Sequence, residues 1–430
     1  MTTILFGILL LLLALLGTPL FAIISSIALL AFYFADIDIS VVIIELNRLT
    51  SQPILLAIPL FTFAGYLLAE SNAPRRLINL SRALFGWIPG GVSIVALVSC
   101  AVFTAFTGAS GVTIIALGGL LYPILIKEKY PEKFTLGMLT SSGNLGMLFP
   151  PSLPVIVYGL ISEVSIEQLF IAGIIPGLLM VFLLSLYSIW YVKDKQLPTT
   201  PFSVKNALTA IRESLWEIPL PFIILFGIYG GYITATEAAA VTAFYVLVVE
   251  VLVYRDIDIR KKLPHVMRES MVLVGGILVI LGAALGMANY MIDAEIPMKI
   301  LNAMSVFITS KIWFLITLNL FLLVVGALLD IFSAILVVVP LIIPIAQNFG
   351  VDPVHLGIIF LANLGIGYTT PPVGMNLFIA SFRFNKPIVK LYIASLPFLV
   401  IMLIGLILIT YIPDLSLWLV KIFAPTPVLR

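Results

Sequence analysis

Residues 140–158 read TSSGNLGMLFPPSLPVIVY, and the interpretation of the whole chain turns on them. The stretch lies between apolar runs. Yet it sets Gly143, Asn144, Gly146, Pro150, Pro151, Ser152 and Pro154 where a membrane helix would have its middle. Proline lacks the ladder donor and collides with the preceding turn, so two adjacent prolines open the helix here. Opened backbone at membrane depth survives only where protein or a water-filled cavity satisfies it. A second stretch of this kind, ANLGIGYTTPPVGMNLFIA, occupies residues 362–380. Interrupted hydrophobic segments at corresponding places in two halves of a chain point to the binding region of a secondary transporter.

Composition supports a chain that lives in the bilayer. Hydrophobic residues make up 61% of the 430 and charged residues 10%, against about 45–50% and about 25% in soluble domains. Mean hydropathy is +1.20. The expected class is therefore an all-α polytopic membrane protein with no room for a large soluble domain. The single cysteine, Cys100, excludes an internal disulfide and reads as a buried structural thiol. Two histidines with no Cys/His spacing argue against a transition-metal centre. The spans carry no HExxH, no GxSxG, and no Ser/Lys or paired-Asp arrangement, so no enzyme is expected. Residues 1–22 resemble a signal peptide but lack its basic first region, the first basic residue being Arg48; they read as a retained span.

Hydropathy predicts ten spans, near 3–16, 18–34, 51–70, 134–163, 167–192, 218–232, 235–254, 265–292, 352–380 and 388–412, the first two being short enough to form instead a single helix kinked through Gly17-Thr18-Pro19. Two further apolar stretches, 92–126 and 312–346, are each divided by small or polar residues. The dividers are 104-TAFTGASGVT-113 and 326-GALLD-330 with Ser333. Both stretches read as re-entrant hairpins. Threading the chain this way places eighteen of the 23 basic residues on one face and five on the other. The basic face is then cytoplasmic and both termini lie on the opposite, periplasmic side. Segments 73–90 and 293–311 read as interfacial arms, with Trp87 and Trp313 near their ends. Residues 193–217 read as a cytoplasmic linker, and 413–430 as a tail with an amphipathic turn or two.

The halves repeat. Pro123 aligns with Pro344, 144-NLG-146 with 363-NLG-365, Pro151 with Pro372, and Pro176 with Pro397. The expected division is repeat 1 over 1–192, the linker over 193–217 and repeat 2 over 218–412. Five crossings separate equivalent elements, an odd number, so the two repeats should have inverted topology. Inverted repeats, broken helices and midplane sites together describe secondary transporters.

On these motifs the chain resembles the large membrane subunit of tripartite ATP-independent periplasmic (TRAP) transporters, the DctM type. The matching residues are 58-IPLFTFAGYLL-68, the hairpin TGASG…LYP over 107–123, and 145-LGMLFPPSLPVIVYG-159. In the second half they are 234-TATEAAAV-241, GALLD…VVVPLIIPIA over 326–346, and 363-NLGIGYTTPPVGMNLF-378. The resemblance covers nearly the whole chain. One departure is Gly111-Val112-Thr113, where the family often has further serines and alanines. The resemblance implies a bacterial inner-membrane protein with the elevator fold of the ion-transporter superfamily. It implies sodium-coupled import of a small carboxylate, an organic acid such as a C4-dicarboxylate or a sialic-acid-like anion. It also implies two partner polypeptides, a small four-helix membrane subunit (Q type) and a periplasmic substrate-binding protein (P type). A rival reading on the same fold is a stand-alone sodium- or proton-coupled anion carrier or antiporter.

Sodium is a hard cation that takes oxygen ligands, and unwound helix supplies carbonyls without burying charge. The family comparison places such ions where hairpin tips meet helix breaks. The first expected seat combines Thr107, Gly108 and Ser110 with Asn144, Gly146, Phe149 and Pro151. The second combines Gly326 and Asp330 with Gly367, Thr369, Thr370 and Val373. A substrate carboxylate between them would meet Asn144, Ser152, Asn363 and Asn376, with helix N-termini adding positive potential. Asp330, an acid in an apolar hairpin, is a functional residue by default; the alternative is a solvated cap. Thr104, Thr113 and Ser333 are expected to bond carbonyls of their own helices. Arg48 and Arg76 are expected at solvated interface positions, Glu163 and Glu237 at boundaries, and His355 near an outer helix end.

Overall fold

The structure, a computed structural model, describes residues 13, 18, 20–88, 90–193, 195, 201–229, 232–305, 308 and 310–423. Of the expected span 3–16 only residue 13 falls within that set, and Gly17 and Pro19 lie outside it. Every regular element among the described residues is helical.

The first half begins with α1 (Leu20–Phe34) and α2 (Ser40–Thr50), followed by a 3-10 turn that runs into α3 (Ala57–Glu70). The arm is α4 (Ala73–Phe85), opened by Pro74, whose missing N–H costs nothing in a first turn. The hairpin is α5 (Gly91–Thr107) and α6 (Ser110–Lys127), the latter containing a π turn at Ile114–Gly118. The broken helix consists of α7 (Glu132–Ser142), a 3-10 turn at Leu145–Leu148, and α8 (Leu153–Ser162). Its two limbs bend by 45°. The long helix α9 (Ile166–Val192) closes the half and carries Pro176.

Between the halves lies α10 (Val204–Glu213), with Ser203 as its cap. The second half then has α11 (Pro219–Tyr229), α12 (Ala235–Val248, extended by a π turn to Val253) and α13 (Lys262–Asp293). Its arm is α14 (Ile296–Ser305) and its hairpin α15 (Lys311–Leu328) with α16 (Ile331–Asn348). The second broken helix is α17 (Pro353–Gly367) and α18 (Met375–Phe384). After it come α19 (Ile388–Tyr411), with Pro397, and α20 (Asp414–Phe423). Arm, hairpin, broken helix and proline-bearing long helix thus recur in the same order. Eight helices among the described residues are long and apolar enough to span a membrane, or nine with the bent pair. The chain is an all-α polytopic membrane protein.

The helix ends explain where elements stop. Thr234 and Glu237 form a reciprocal capping box on α12, which fixes Glu237 as a boundary residue. Ser165, Ser310, Asp330 and Asp352 accept from first-turn N–H groups of α9, α15, α16 and α17. Packing follows from the apolar faces. On α9, Leu178, Phe182, Leu186 and Trp190 are exposed at four-residue spacing, a stripe suited to lipid. The breaks instead sit within protein: Tyr158 and Phe360 are both buried, with ring centroids 5.8 Å apart, and join α8 to α17.

Arg76 corrects an expectation. It is not solvated: its side chain is 11% exposed and lies among three carboxylates. It pairs with Glu217 through Nε, with Asp256 at 2.6 Å through Nη1 and with Glu250 at 3.0 Å through Nη2. The Tyr254 ring lies beneath the guanidinium, 3.8 Å from centroid to Cζ. Burial pushes the Glu217 carboxyl up against the pull of Arg76. At Asp256 burial also raises, but hydrogen bonds from Arg76 and Asn72 outweigh it and hold the carboxyl low. The other end of this arm pairs Arg82 with Glu128, just past the hairpin, and Ser99 on α5 donates to Ser81 at 3.0 Å. The arm α4 is therefore pinned at both ends.

Candidate functional site

The hairpin tip of the first half is two residues long. Gly108 ends α5 in the left-handed region (φ +65°), and its N–H closes on Thr104 O at 2.8 Å. A Cβ there would meet the Leu153 side chain at 2.7 Å, so only glycine lets the tip settle on the start of α8. The two legs are tied by Thr104 Oγ1 and Thr113 Oγ1, 2.7 Å apart, and Thr104 Oγ1 also donates to Gly143 O at 3.1 Å. This overturns the expectation that Thr104 and Thr113 bond carbonyls of their own helices. The opening at Pro150–Pro151, a cis pair, leaves backbone folded into turns: Phe149 N reaches Gly146 O and Ser152 N reaches Phe149 O, both at 3.1 Å.

Around this tip the polar groups are buried and mostly oxygen. Thr107 Oγ1 and Ser152 Oγ belong to fully buried residues and have no hydrogen-bond partner among the described residues. Ser110 Oγ donates to Asn376 Oδ1 at 2.8 Å, and Asn376 Nδ2 donates to Asn144 Oδ1 at 2.7 Å. Ser110 and Asn144, two of the residues expected in the first seat, are thus joined through Asn376, an expected substrate residue of the other half. A void of about 20 Å³ adjoins Asn144, room for about one water.

At the second tip the backbones themselves touch. A Cβ on Gly367 would lie 2.5 Å from Gly326 C, so the pair packs main chain on main chain. Gly374 N donates to Ala327 O at 3.1 Å, and Ile331 N donates to the Tyr368 hydroxyl. Thr369 and Thr370 both donate to Ile366 O at 2.9 Å, which leaves their lone pairs available. Asp330 caps α16: Oδ1 accepts from Phe332 N and Ser333 N, while Oδ2 accepts from Ser333 Oγ. Ser333 therefore bonds that carboxylate and not a carbonyl of its own helix, contrary to expectation. Val373 is half-buried beside exposed Pro371 and Pro372.

Asn363 does not join either tip. Its Nδ2 donates to Asn319 Oδ1 at 2.7 Å and to Ile359 O at 2.8 Å, and Asn319 bonds Thr410 Oγ1 at 3.1 Å. His355 extends this group, with Nε2 3.3 Å from Thr410 O. Residue spacing gave no sign of the Asn319–Asn363 pair, because it forms between a hairpin leg and a broken helix. No group of three or more His, Cys, Asp or Glu among the described residues is arranged to hold a metal ion. On another face Arg48 stands 3.8 Å from Glu163, and with Gln52, Ser165 and Glu167 they line a cleft of about 600 Å³.

Comparison with known proteins identifies the family. The profile described as "Tripartite ATP-independent periplasmic transporter, DctM component" matches residues 5–415. A C4-dicarboxylate TRAP transporter large permease protein DctM of Pseudomonas aeruginosa is 37% identical over 91% of each chain. An isethionate TRAP transporter permease protein DctMQ of Oleidesulfovibrio alaskensis is 36% identical over 87% of this chain and 59% of its own. Among solved structures, the YdaH transporter of Alcanivorax borkumensis, described as having an unusual topology, superposes with a TM-score of 0.63. It covers 86% of each chain at 13% identity, a likeness of fold. With a profile match over residues 5–415, this chain belongs to the DctM component family of TRAP transporters; it is a transporter, not an enzyme.

Proposed function

We propose that the chain imports a small carboxylate or related organic anion together with sodium, its hairpin and broken-helix unit moving as an elevator against the remaining helices. The observation that carries the sodium reading is chemical. Both tip-to-break junctions offer hydroxyl and carbonyl oxygens, and the hydrogen-bond partners at the first are, among the described residues, all uncharged. Thr107 Oγ1, with neither donor nor acceptor engaged, and Ser110 fit a hard cation of low charge. Thr107, Ser110 and the carbonyls of Gly108, Gly146, Phe149 and Pro151 would hold one ion. Gly326, Gly367, Thr369, Thr370 and Val373 would hold the second, with Asp330 supplying negative potential from its cap. Ser152, Asn144 and the N-termini of α8 and α18 would face the anion.

Two partners complete the reading, a small membrane subunit and a periplasmic binding protein that delivers the anion. The DctMQ relative supports the first, since the match covers 59% of that protein and leaves length over for a second, fused subunit. Both termini are assigned to the periplasm on the asymmetry of basic residues. The test is uptake by the chain with both partners in proteoliposomes under a sodium or a potassium gradient. Sodium should drive uptake, and Asp330→Asn and Asn144→Ala should weaken it with membrane insertion intact. Equal uptake under both gradients would reject sodium coupling. Uptake without the binding protein would favour a stand-alone carrier.

A further inference from the structure

The carboxamide of Asn376 is 0% exposed and is held on opposite sides by two residues of the other half. An amide can be turned over without changing its shape, so the assignment of its oxygen and nitrogen has to be argued. Thr140 O argues it: that carbonyl lies 3.5 Å from the same end of Asn376 that meets Asn144. An oxygen at that end would face a second oxygen, so the end is the NH₂. The other end is then the oxygen, and Ser110 donates to it. The backbone anchors the side chain as well, because Asn376 N donates to Tyr368 O at 3.1 Å.

This orientation has a consequence for each neighbour. Ser110 has one proton and it is committed to Asn376, so toward the rest of the tip the hydroxyl can present only lone pairs. Asn144 has one oxygen and it already accepts from Asn376, while its Nδ2 has no partner among the described residues. Asn144 therefore offers N–H groups, which suit an anion and repel a cation.

Resting on the proposed sodium-coupled anion transport, we infer that Asn376 is a positioning residue that sorts the polarity of the site. It turns Ser110 into a cation-facing acceptor and Asn144 into an anion-facing donor. Asn144 accordingly belongs to the substrate and not to the first sodium seat.

Asn376→Asp separates the two effects. An aspartate still accepts from Ser110, so the cation seat keeps its lone pairs. Toward Asn144 it offers an oxygen, which draws the Asn144 NH₂ inward and leaves its Oδ1 facing the substrate. The measurements use the chain with both partners. One is uptake of whichever anion, from a panel of carboxylates and sulfonates, the wild type transports best. The other is the thermal stabilisation by sodium over potassium in detergent, without substrate. Asn376→Asp should raise the half-saturating anion concentration by at least about tenfold, the loss expected for a hydrogen bond to a charged group. The sodium midpoint should not rise, because the added carboxylate can only favour a cation at the neighbouring seat. Asn144→Asp, made separately, should reproduce the split even if Asn376→Asp proves poorly folded. Ser110→Ala should shift the sodium midpoint. A wild type without sodium stabilisation, or with no uptake from the panel, would overturn the transport reading and this inference together. A sodium-dependent wild type whose Asn376→Asp and Asn144→Asp variants keep normal anion half-saturation would overturn this inference alone.

Discussion

Thr104 and Thr107 sit one turn apart on α5, both fully buried, and their hydroxyls have opposite fates. Thr104 links both hairpin legs to the α7 terminus, whereas Thr107 Oγ1 bonds to nothing among the described residues. Thr104→Val should cost about 1–3 kcal/mol, since it leaves buried partners unsatisfied. Thr107→Val removes an unpartnered polar atom and should leave stability unchanged or raise it by about 1 kcal/mol. In the same thermal unfolding assay it should nevertheless weaken stabilisation by sodium. A Thr107→Val protein with wild-type sodium response would remove Thr107 from the seat. This contrast was only half legible in the sequence. The TGASG motif and the Pro-Pro pairs announced where the backbone opens, because glycine and proline act locally. Which hydroxyl would be left over depends on atoms of α7 and α8, some forty residues away, and no spacing rule reaches them.

Elements were legible to the degree that their signal was local. Helix boundaries at both breaks, and at the starts of α4, α5, α15 and α16, fall within a few residues of the expected positions, each marked by glycine, proline or a capping residue. Helix α2 went unforeseen: VVIIELNRLT is too polar and too short to register as a span. The burial of Arg76 was hidden for another reason, since Glu217, Glu250 and Asp256 come from 141 to 180 positions downstream. As the pin of arm α4, Arg76 has a calculable importance. Arg76→Gln would leave three carboxylates together, Glu250 fully buried among them. It should destabilise the protein by about 3–5 kcal/mol, the range for breaking a buried ion pair by removing one partner. Thermal unfolding of the purified protein would show this as a lowered midpoint, and Arg76→Lys, which cannot serve three partners at once, should recover little. A midpoint equal to wild type would mean that the arm is anchored by its apolar face alone.

At the scale of the molecule, the cleft between Arg48 and Glu163 tests whether one body slides against another. With Cys100→Ser removing the buried native thiol, Arg48→Cys with Glu163→Cys should be bridged by a short bifunctional thiol reagent. Bridging should stop uptake, and reducing the bridge should restore it. Continued uptake by the bridged protein would contradict relative motion at this cleft. Orientation has its own check: Lys205→Cys, on the same Cys100→Ser background, should react with an impermeant maleimide only from the cytoplasmic side of sealed vesicles. Labelling from the outside would invert the assigned topology.

The hairpins lean on the opposite halves. Helix α6 packs on α18, and α16 packs on α8; Ser110 finds its partner 266 positions further along. A ribosome feeding this chain into the bilayer therefore releases the first hairpin long before its counterpart exists. Until α18 arrives, Ser110 lacks its hydrogen-bond partner. Assembly of the nascent protein is thus expected to be decided late, at the insertion of its last hundred residues. Truncations before residue 376 should be degraded outright and not accumulate as half-working protein.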